Sequence, residues 1–286
     1  MSITATINAP SGPIRVGAGE RLTIIGGPCA LESEKVAIEV GETMRECCAT
    51  LGLPYIFKAS FDKANRSSLG SKRGPGLEEG LEILGKIRET VGVAITSDIH
   101  TAEQAEPAAE VLDILQIPAF LCRQTDLLIA SGEAAALHKR CVNIKKGQFL
   151  SPSEMAGPIE KVRSTGCQDV IVTERGTFFG YHRLVTDLIG LGDLMELDVP
   201  TCFDCTHSAQ LPGASASAEN RVTGGRRDRI PMLANAAAAA GVQAIFMEVH
   251  PDPDRALSDA STQIPLAEAP AILKRIAAIY EAAGHR

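Results

Sequence analysis

The segment from Lys58 to Ser68 concentrates cationic, amide and hydroxyl side chains directly after a short apolar run. Arginine can bind two phosphate oxygens at once, lysine adds a point charge, and serine and asparagine supply further hydrogen bonds. This combination at the end of a strand predicts a site for an anionic ligand. The competing interpretation is a solvated loop that carries its cations by chance. The candidate ligands of the anion are Lys58, Lys63, Asn65, Arg66 and Ser67.

Further cations follow other apolar runs. Lys145 and Arg175 stand at the ends of two of them, and Arg123 lies just past a third. Cations at several such positions favour a ligand that carries more than one anionic group.

Four residues that are far apart in the chain offer ligands for a transition metal. A thiolate, an imidazole and two carboxylates form a mixed donor set that suits a divalent ion such as Zn, Fe, Mn or Co. Plainer interpretations remain open, since a cysteine is often a small buried hydrophobe and Asp259 could cap a helix. The candidate metal ligands are Cys29, His207, Glu248 and Asp259.

The elements that must position these side chains repeat along the chain. Eight short apolar runs alternate with helix-like stretches, such as Lys35–Leu51 and Leu77–Val91, in which apolar residues recur every three or four positions. Continuous apolar strands separated by helices predict a parallel sheet covered on both faces, and eight units predict a (β/α)8 TIM barrel of class α/β. A doubly wound sheet is the alternative, but the chain lacks a glycine-rich first turn of the dinucleotide-binding type. The predicted strands are 22–25, 55–57, 93–96, 112–115, 142–144, 170–173, 201–203 and 244–247.

Before the barrel, two alternating runs at 3–7 and 13–16 surround a turn rich in Pro, Ser and Gly, which predicts a β-hairpin. We find no linker or low-complexity segment. The sequence therefore predicts one catalytic barrel domain over residues 1–286, with residues 1–20 as a hairpin extension.

A barrel of this kind carries its active site at the C-terminal ends of its strands. Most of the predicted strands deliver a reactive or charged group to that end. A purely structural protein has no reason to desolvate so many unlike charges together, because unpaired buried charge is costly. The residues predicted there are Cys29, Lys58, Asp98, Gln116, Lys145, Glu174, Arg175, His207 and Glu248.

The composition narrows the class of protein. The 286 residues include 28 Lys and Arg against 35 Asp and Glu, a net charge of −7, and 45% are hydrophobic. These values exclude a disordered, collagenous or coiled-coil chain and give no overall basis for binding nucleic acid or anionic lipid. No apolar run is long enough for a membrane span, no export signal is recognisable, and eight cysteines are too few for a disulfide scaffold. We therefore expect a cytoplasmic protein.

The motifs of this chain resemble those of the 3-deoxy-D-manno-octulosonate 8-phosphate (KDO8P) synthase family over about residues 22–265. The twelve-residue lysine-rich motif is the most specific. The matching segments are Gly27-Pro-Cys-Ala-Leu-Glu-Ser33, Phe57-Lys-Ala-Ser-Phe-Asp-Lys-Ala-Asn-Arg-Ser-Ser68, Arg73-Gly-Pro-Gly-Leu-Glu-Glu-Gly80, Leu115-Gln-Ile-Pro-Ala-Phe-Leu-Cys-Arg-Gln-Thr-Asp126, Asn143-Ile-Lys-Lys-Gly-Gln-Phe149, Thr173-Glu-Arg-Gly176, Asp204-Cys-Thr-His-Ser-Ala-Gln-Leu-Pro-Gly213, Gly224-Gly-Arg-Arg227 and Leu257-Ser-Asp-Ala260.

The resemblance implies condensation of phosphoenolpyruvate with arabinose 5-phosphate and water, which provides a precursor of the lipopolysaccharide inner core. It implies that phosphoenolpyruvate is held by Lys58, Lys63, Lys145 and Arg175. It assigns the pentose phosphate to Asn65, Arg66 and Ser67, with Arg123 contributed by a neighbouring subunit of a homotetramer. Asp98, Gln116 and Gln210 would complete the pocket. The implied catalytic residues are Lys58, Lys63, Asp98, His207 and Asp259.

The family has a metal-free branch, which carries asparagine at the position of Cys29, and a metal-dependent branch. Cys29 together with His207, Glu248 and Asp259 resembles the metal-dependent branch. One departure is the segment 211–223, which lacks the glycine-rich run expected there and which we expect to act as a lid.

Three alternatives remain open from the sequence. The sister enzyme that uses erythrose 4-phosphate shares the fold, although Lys63-Ala-Asn-Arg-Ser-Ser68 favours the arabinose enzyme. A sugar-phosphate sensor without catalytic activity would be expected to lose part of the cation and metal-ligand sets. A structural oligomer would leave the charges at the strand ends unexplained.

Overall fold

The computed structural model describes residues 4–64, 73–178, 182–212 and 224–285. The strands, in chain order, are β1 Thr4–Ala9, β2 Gly12–Gly17, β3 Thr23–Gly27, β4 Tyr55–Lys58, β5 Ala94–Asp98, β6 Ile114–Ile117, β7 Cys141–Lys145, β8 Val170–Glu174, β9 Thr177–Phe178, β10 Leu184–Val185, β11 Thr201–Asp204, β12 Gln210–Leu211, β13 Gly224–Gly225, β14 Ala244–His250 and β15 Ile264–Pro265. The α-helices are α1 Glu34–Leu51, α2 Leu77–Val91, α3 Ala105–Val111, α4 Thr125–His138, α5 Ala156–Ser164, α6 Leu188–Met195, α7 Ile230–Ala240 and α8 Ala269–Ala282.

Eight parallel strands form a closed barrel. Their order is β3, β4, β5, β6, β7, β8, β11 and β14, and β14 closes the ring by pairing with both β11 and β3. This confirms the predicted (β/α)8 barrel and excludes the doubly wound sheet, because an open sheet leaves two unpaired edges. The remaining short strands form small hairpins, β9 with β10 and β12 with β13, apart from β15, which pairs with the end of β14.

Each of the eight predicted strands overlaps a barrel strand, and the two predicted helices coincide with α1 and α2 to within one residue. The largest offset at the start of a strand is at β6, which begins at Ile114 instead of Leu112. Leu112 ends α3, where its amide donates to the Ala108 carbonyl at 2.8 Å. The apolar run therefore predicts a strand that starts too early, because its first residue, Leu112, caps the preceding helix.

The predicted N-terminal hairpin is present, and it closes the bottom of the barrel. β1 and β2 pair antiparallel with Ala9 opposite Gly12, so the turn is at Pro10 and Ser11. The inward-facing residues of the hairpin pack into one apolar cluster with the lower interior residues of the barrel strands. The Thr6 amide also donates to Asp169 Oδ1 at 2.7 Å, which attaches the hairpin to the loop before β8.

The helices cover the outside of the barrel with their apolar faces, and local sequence sets their ends. α1 begins after Ser33, whose hydroxyl accepts from the Val36 amide. It ends at Gly52, which adopts a left-handed conformation (φ +66°) that glycine allows without strain. None of the helices in the described part of the chain combines the length and apolarity that a membrane crossing requires.

Candidate active site

Charged side chains meet at the C-terminal mouth of the barrel because they stand at the ends of its strands. Lys58, Asp98, Lys145 and Asp204 are the last residues of β4, β5, β7 and β11. Arg175 follows directly after β8. Parallel strands of similar length end at one level, so the fold brings together groups that lie far apart in sequence.

Lys58 lies at the centre of this group. Its ammonium is 3.1 Å from Glu248 Oε1 and 3.8 Å from Asp98 Oδ2. It also donates to the Cys29 carbonyl and to the Ser60 hydroxyl. Lys58 is 1% exposed and Glu248 is fully buried, so this ion pair is shielded from solvent.

Lys63 enters the same site from the loop after β4. Its ammonium donates to Ser60 Oγ at 3.1 Å. Burial alone would lower the pKa of Lys63, but the charges of Cys29 and Glu248 outweigh burial and raise that pKa above its ordinary value. Lys63 is therefore held as a cation.

Two further cations occupy the opposite side of the mouth. Lys145 Nζ lies 2.6 Å from Asp204 Oδ2 and 3.9 Å from the centre of the Phe246 ring. Arg175 donates to Gln210 Oε1 at 2.7 Å, and Gln210 Nε2 in turn donates to Asp259 Oδ1. Both cations are buried, so solvent would weaken their attraction to an entering anion only slightly.

Asp98 faces these cations as a carboxylate. It accepts hydrogen bonds from the Ser60 hydroxyl and from the Gln116 amide. Burial alone would raise the pKa of Asp98, but the charges of Lys58, Lys63 and Lys145 hold that pKa well below its usual range.

The predicted metal ligands converge beside Lys58. Ligand atoms of Cys29, Glu248 and Asp259 all lie within 4.8 Å of one another. His207 Nε2 is 3.6 Å from Glu248 Oε1 and 3.8 Å from Asp259 Oδ2. The structure thus brings all four predicted ligands to one place.

The surroundings of these donors fit a divalent cation. Glu248 Oε2 is buried and has no hydrogen-bond partner among the described residues, so it is free to act as a ligand. His207 Nδ1 lies 2.6 Å from Asp204 Oδ2, and a carboxylate on the far nitrogen orients an imidazole for metal binding. Burial and the Glu248 charge raise the pKa of Cys29, and a bound cation would offset both effects.

Asp259 adopts an unusual backbone conformation beside this group, with φ at +50°. Its carbonyl accepts from the amides of Thr262 and Gln263, at 2.9 and 3.1 Å, and these bonds hold the turn. Strained residues of this kind persist only where surrounding contacts fix them, and they concentrate at functional sites.

Four further site residues are predicted from the sequence, namely Asn65, Arg66, Ser67 and Arg123. Asn65, Arg66 and Ser67 fall outside the described residues, as does most of the predicted lid at 211–223. Arg123 is exposed in the turn before α4.

Two residues that shape the mouth, Ser60 and Asp204, were not predicted from the sequence. Ser60 bridges Lys58, Lys63 and Asp98. Asp204 joins Lys145 to His207. A signal for Asp204 was present, since it is a charged residue at the end of an apolar run, three positions before His207. Ser60 lies in the lysine-rich motif, two residues after Lys58, but its type and position did not predict these contacts.

A further buried ion pair lies where β7 and β8 end. Lys146 Nζ is 3.4 Å from Glu174 Oε2, and it also donates to the Leu150 carbonyl and to Thr177 Oγ1. Glu174 Oε1 accepts from the amides of Arg175 and Gly176. The pair fastens the loop after β7 to the turn that carries Arg175.

Comparisons with known proteins agree on one group of relatives. A family model described as the DAHP synthetase I family matches residues 3–281. Relatives from Trichlorobacter lovleyi and Pelobacter propionicus are 48% and 49% identical over 268 residues, covering 94% of this chain and 96% of each relative. A relative from Syntrophotalea carbinolica is 49% identical over 266 residues, covering 93% of each chain. All three are named 2-dehydro-3-deoxyphosphooctonate aldolase.

Proposed function

The chain belongs to the DAHP synthetase I family, and from that premise we propose that it condenses phosphoenolpyruvate with D-arabinose 5-phosphate and water. The products are 3-deoxy-D-manno-octulosonate 8-phosphate and inorganic phosphate, and the octulosonate serves the lipopolysaccharide inner core. The name shared by relatives at 48–49% identity carries this assignment. The arrangement of cations at the barrel mouth supports it, because the two substrates together bring two phosphates and a carboxylate.

Phosphoenolpyruvate binds to the deep cations in this proposal. Lys58, Lys63, Lys145 and Arg175 hold its phosphate and carboxylate. Three of them, Lys58, Lys145 and Arg175, are at most 6% exposed, so they would hold the ligand in a place that is largely shielded from solvent. Glu248 partly balances the charge of Lys58, and Asp204 partly balances that of Lys145, which lowers the cost of burying these cations.

The pentose phosphate binds nearer the entrance, on Asn65, Arg66 and Ser67, and Arg123 comes from a neighbouring subunit. Asp98, Gln116 and Gln210 complete the pocket. Asp98 is a carboxylate with lone pairs available beyond its two protein donors, so it is suited to accept a hydrogen bond from a substrate hydroxyl.

In the reaction, the enol carbon C3 forms a bond to the aldehyde carbon, whose oxygen takes up a proton. Water adds at C2 and loses one proton. The C2–O bond to phosphate then breaks, phosphate leaves, and the new C2 hydroxyl gives up its remaining proton as it becomes the keto oxygen. Lys58 and Lys63 stabilise the negative charge that develops on the departing phosphate. His207 and Asp259 are the other catalytic residues in this proposal, and they lie next to the aldehyde carbonyl of the pentose.

We place the chain in the metal-dependent branch, with Cys29, His207, Glu248 and Asp259 as the ligands. A divalent ion held by these residues would supply Lewis acidity, which polarises a carbonyl oxygen and acidifies water. The convergence of the four donors and the free Glu248 Oε2 support this placement.

We also propose a homotetramer, formed through the loops at the mouth. Phe120, Phe149 and Phe178 are each 44–54% exposed on the segments after β6, β7 and β8. The Phe178 amide donates to the Gln148 carbonyl, so two of these aromatic rings stand on adjoining segments. Exposed aromatic residues of this kind suit a subunit interface, and Arg123 follows Phe120 by three residues. The eight unpaired cysteines suit a reducing compartment, and we place the reaction in the cytoplasm.

The decisive experiment measures phosphate release from phosphoenolpyruvate with arabinose 5-phosphate, and with erythrose 4-phosphate for comparison. We expect faster release with the arabinose substrate, loss of activity after treatment with EDTA or dipicolinate, and recovery with one divalent ion. Faster release with erythrose 4-phosphate would transfer the chain to the sister activity. Activity that survives chelation would leave the reaction in place and remove the metal.

A further inference from the structure

A line of hydrogen-bonded side chains crosses four neighbouring barrel strands and ends on Asp98. We call Thr173, Asn143, Gln116 and Asp98 the polar relay. Thr173 Oγ1 donates to Asn143 Oδ1 at 2.7 Å, and Asn143 Nδ2 donates to Gln116 Oε1 at 3.0 Å. Gln116 Nε2 then donates to Asp98 Oδ1. Thr173, Asn143 and Gln116 are fully buried.

The register of the barrel places the relay residues on the same face of four neighbouring strands. Asp98 stands opposite Gln116 on β5 and β6, and Gln116 stands opposite Asn143 on β6 and β7. Thr173 lies two residues along β8 from Ile171, the partner of Asn143. Interior layers of such barrels are usually filled by branched apolar residues. Three uncharged polar side chains in succession therefore need a reason beyond filling space.

The relay has a fixed direction. Because the Asp98 carboxylate can only accept at one end and the Thr173 hydroxyl donates to Asn143 Oδ1 at the other, the amino group of Asn143 faces Gln116. The Gln116 carbonyl accepts that bond, so its own amino group faces Asp98. Turning over either amide would place two carbonyl oxygens or two amino groups against each other.

The far side of Asp98 is also supplied with a donor. The Ser60 hydroxyl donates to Asp98 Oδ2, while Gln116 donates to Oδ1. Both carboxylate oxygens therefore accept hydrogen bonds, and the plane of the carboxylate is fixed from two directions. Ser60 contacts Lys58 and Lys63 as well, whereas the other side depends on the relay alone.

We propose that Thr173 and Asn143 are positioning residues that act on the reaction through Gln116 and Asp98 without touching a substrate. The Thr173 hydroxyl supplies the donor that satisfies Asn143 Oδ1, and so holds both amides, and with them the Asp98 carboxylate, in place. This inference rests on the proposed function, since it assigns Asp98 a role in the same condensation.

The first test replaces Thr173 with valine, which keeps the shape of the side chain and removes its proton. We expect kcat for phosphate release to fall about tenfold, because misoriented reacting groups are costly, while KM for phosphoenolpyruvate stays unchanged. Thr173→Ser restores the hydroxyl and should restore kcat.

Thr96→Val is the matched control. Thr96 is a fully buried threonine on β5, and its hydroxyl donates to the Ile114 carbonyl, outside the relay. This variant loses a buried hydroxyl of the same kind, so its thermal stability should fall about as much as that of Thr173→Val while its kcat stays close to that of the unmodified protein.

A double-mutant cycle separates action through Asp98 from general loosening of the barrel. In an Asp98→Asn background, assayed at high enzyme concentration, Thr173→Val should cause no further loss of kcat, because the group that it positions has been removed. Losses that multiply would overturn the inference, as would a Thr173→Val variant with unchanged kcat. An inactive unmodified protein would instead overturn the proposed function, and this inference with it.

Discussion

Single residues at the barrel mouth are held in their charged states by their neighbours. Lys58 and Glu248 are both buried and have opposite charges 3.1 Å apart, so removing either charge leaves the other without its main partner. Lys145 and Asp204 form a second pair of this kind. The mouth is therefore prepared for anions without carrying a large unbalanced charge.

The ionisation of Glu248 makes the free energy of unfolding depend on pH in the acid range. Burial by itself would raise the pKa of Glu248, but the charges of His207 and Lys58 outweigh burial and lower it from 4.5 to about 2. Because the pKa in the folded state lies below that in the unfolded state, Glu248 stabilises the fold fully above pH 4.5, and this contribution is lost as the pH falls through about 2.

We expect chelator-treated protein to lose free energy of unfolding between these two pH values. Urea denaturation followed at pH steps from 7 to 2 measures the loss. Glu248→Gln should lose less over the same interval, since glutamine does not titrate. Parallel pH curves for the two proteins would contradict this assignment.

Cys29 gives a prediction that does not depend on activity. Cys29→Ala removes the only thiol among the four donors, so we expect the bound metal per chain, measured by elemental analysis after dialysis, to fall sharply. Cys205→Ala is the control, because the Cys205 thiol is equally buried but donates to the Phe246 carbonyl outside the donor group. Equal metal content in both variants would remove Cys29 from the site.

At the scale of elements, the loops after β7 and β8 depend on the ion pair between Lys146 and Glu174. Both side chains are at most 4% exposed. Removing one partner of a buried pair leaves a buried charge, which costs roughly 3–5 kcal/mol. We expect Lys146→Met to lose about 3 kcal/mol of unfolding free energy and to raise KM for phosphoenolpyruvate, because the turn that carries Arg175 loses its support.

Glu20→Gln is the comparison for that variant. Glu20 forms an ion pair with Arg15 at 2.7 Å, but both side chains are substantially exposed. An exposed pair contributes at most about 1 kcal/mol, so this change should be small. If chemical denaturation gives similar losses for the two variants, the Lys146 pair has no special role.

The elements themselves were predictable because their signals are local. Runs such as Val170–Thr173 and the periodic pattern of Leu77–Val91 mark strands and helices without reference to the rest of the chain. The positions of Lys58, Asp98 and Lys145 at strand ends follow from those boundaries. The contacts of Ser60, Asn143 and Thr173 do not, since each depends on side chains of strands that are distant in sequence.

At the scale of the whole molecule, exposed aromatic residues at the mouth predict association. Phe149→Asp should replace part of the proposed interface with a desolvated charge and shift the protein to smaller species. Light scattering coupled to gel filtration measures the mass. Leu137→Asp is the control, because Leu137 is 69% exposed at the end of α4 and lies outside the loops after β6, β7 and β8. Dissociation by both changes, or by neither, would exclude an interface at the Phe149 surface.

The hairpin beneath the barrel also bears on how the chain is made. β1 and β2 precede every barrel strand in the order of synthesis, yet the cluster that they enter includes residues from Ile25 to Phe246. The hairpin is therefore synthesised before the barrel that it closes. Until β14 has been synthesised and pairs with β3, the apolar side of the hairpin has no complete surface to meet. Contacts that span most of the chain slow folding, so closure of the ring and seating of the hairpin should form one late, cooperative step.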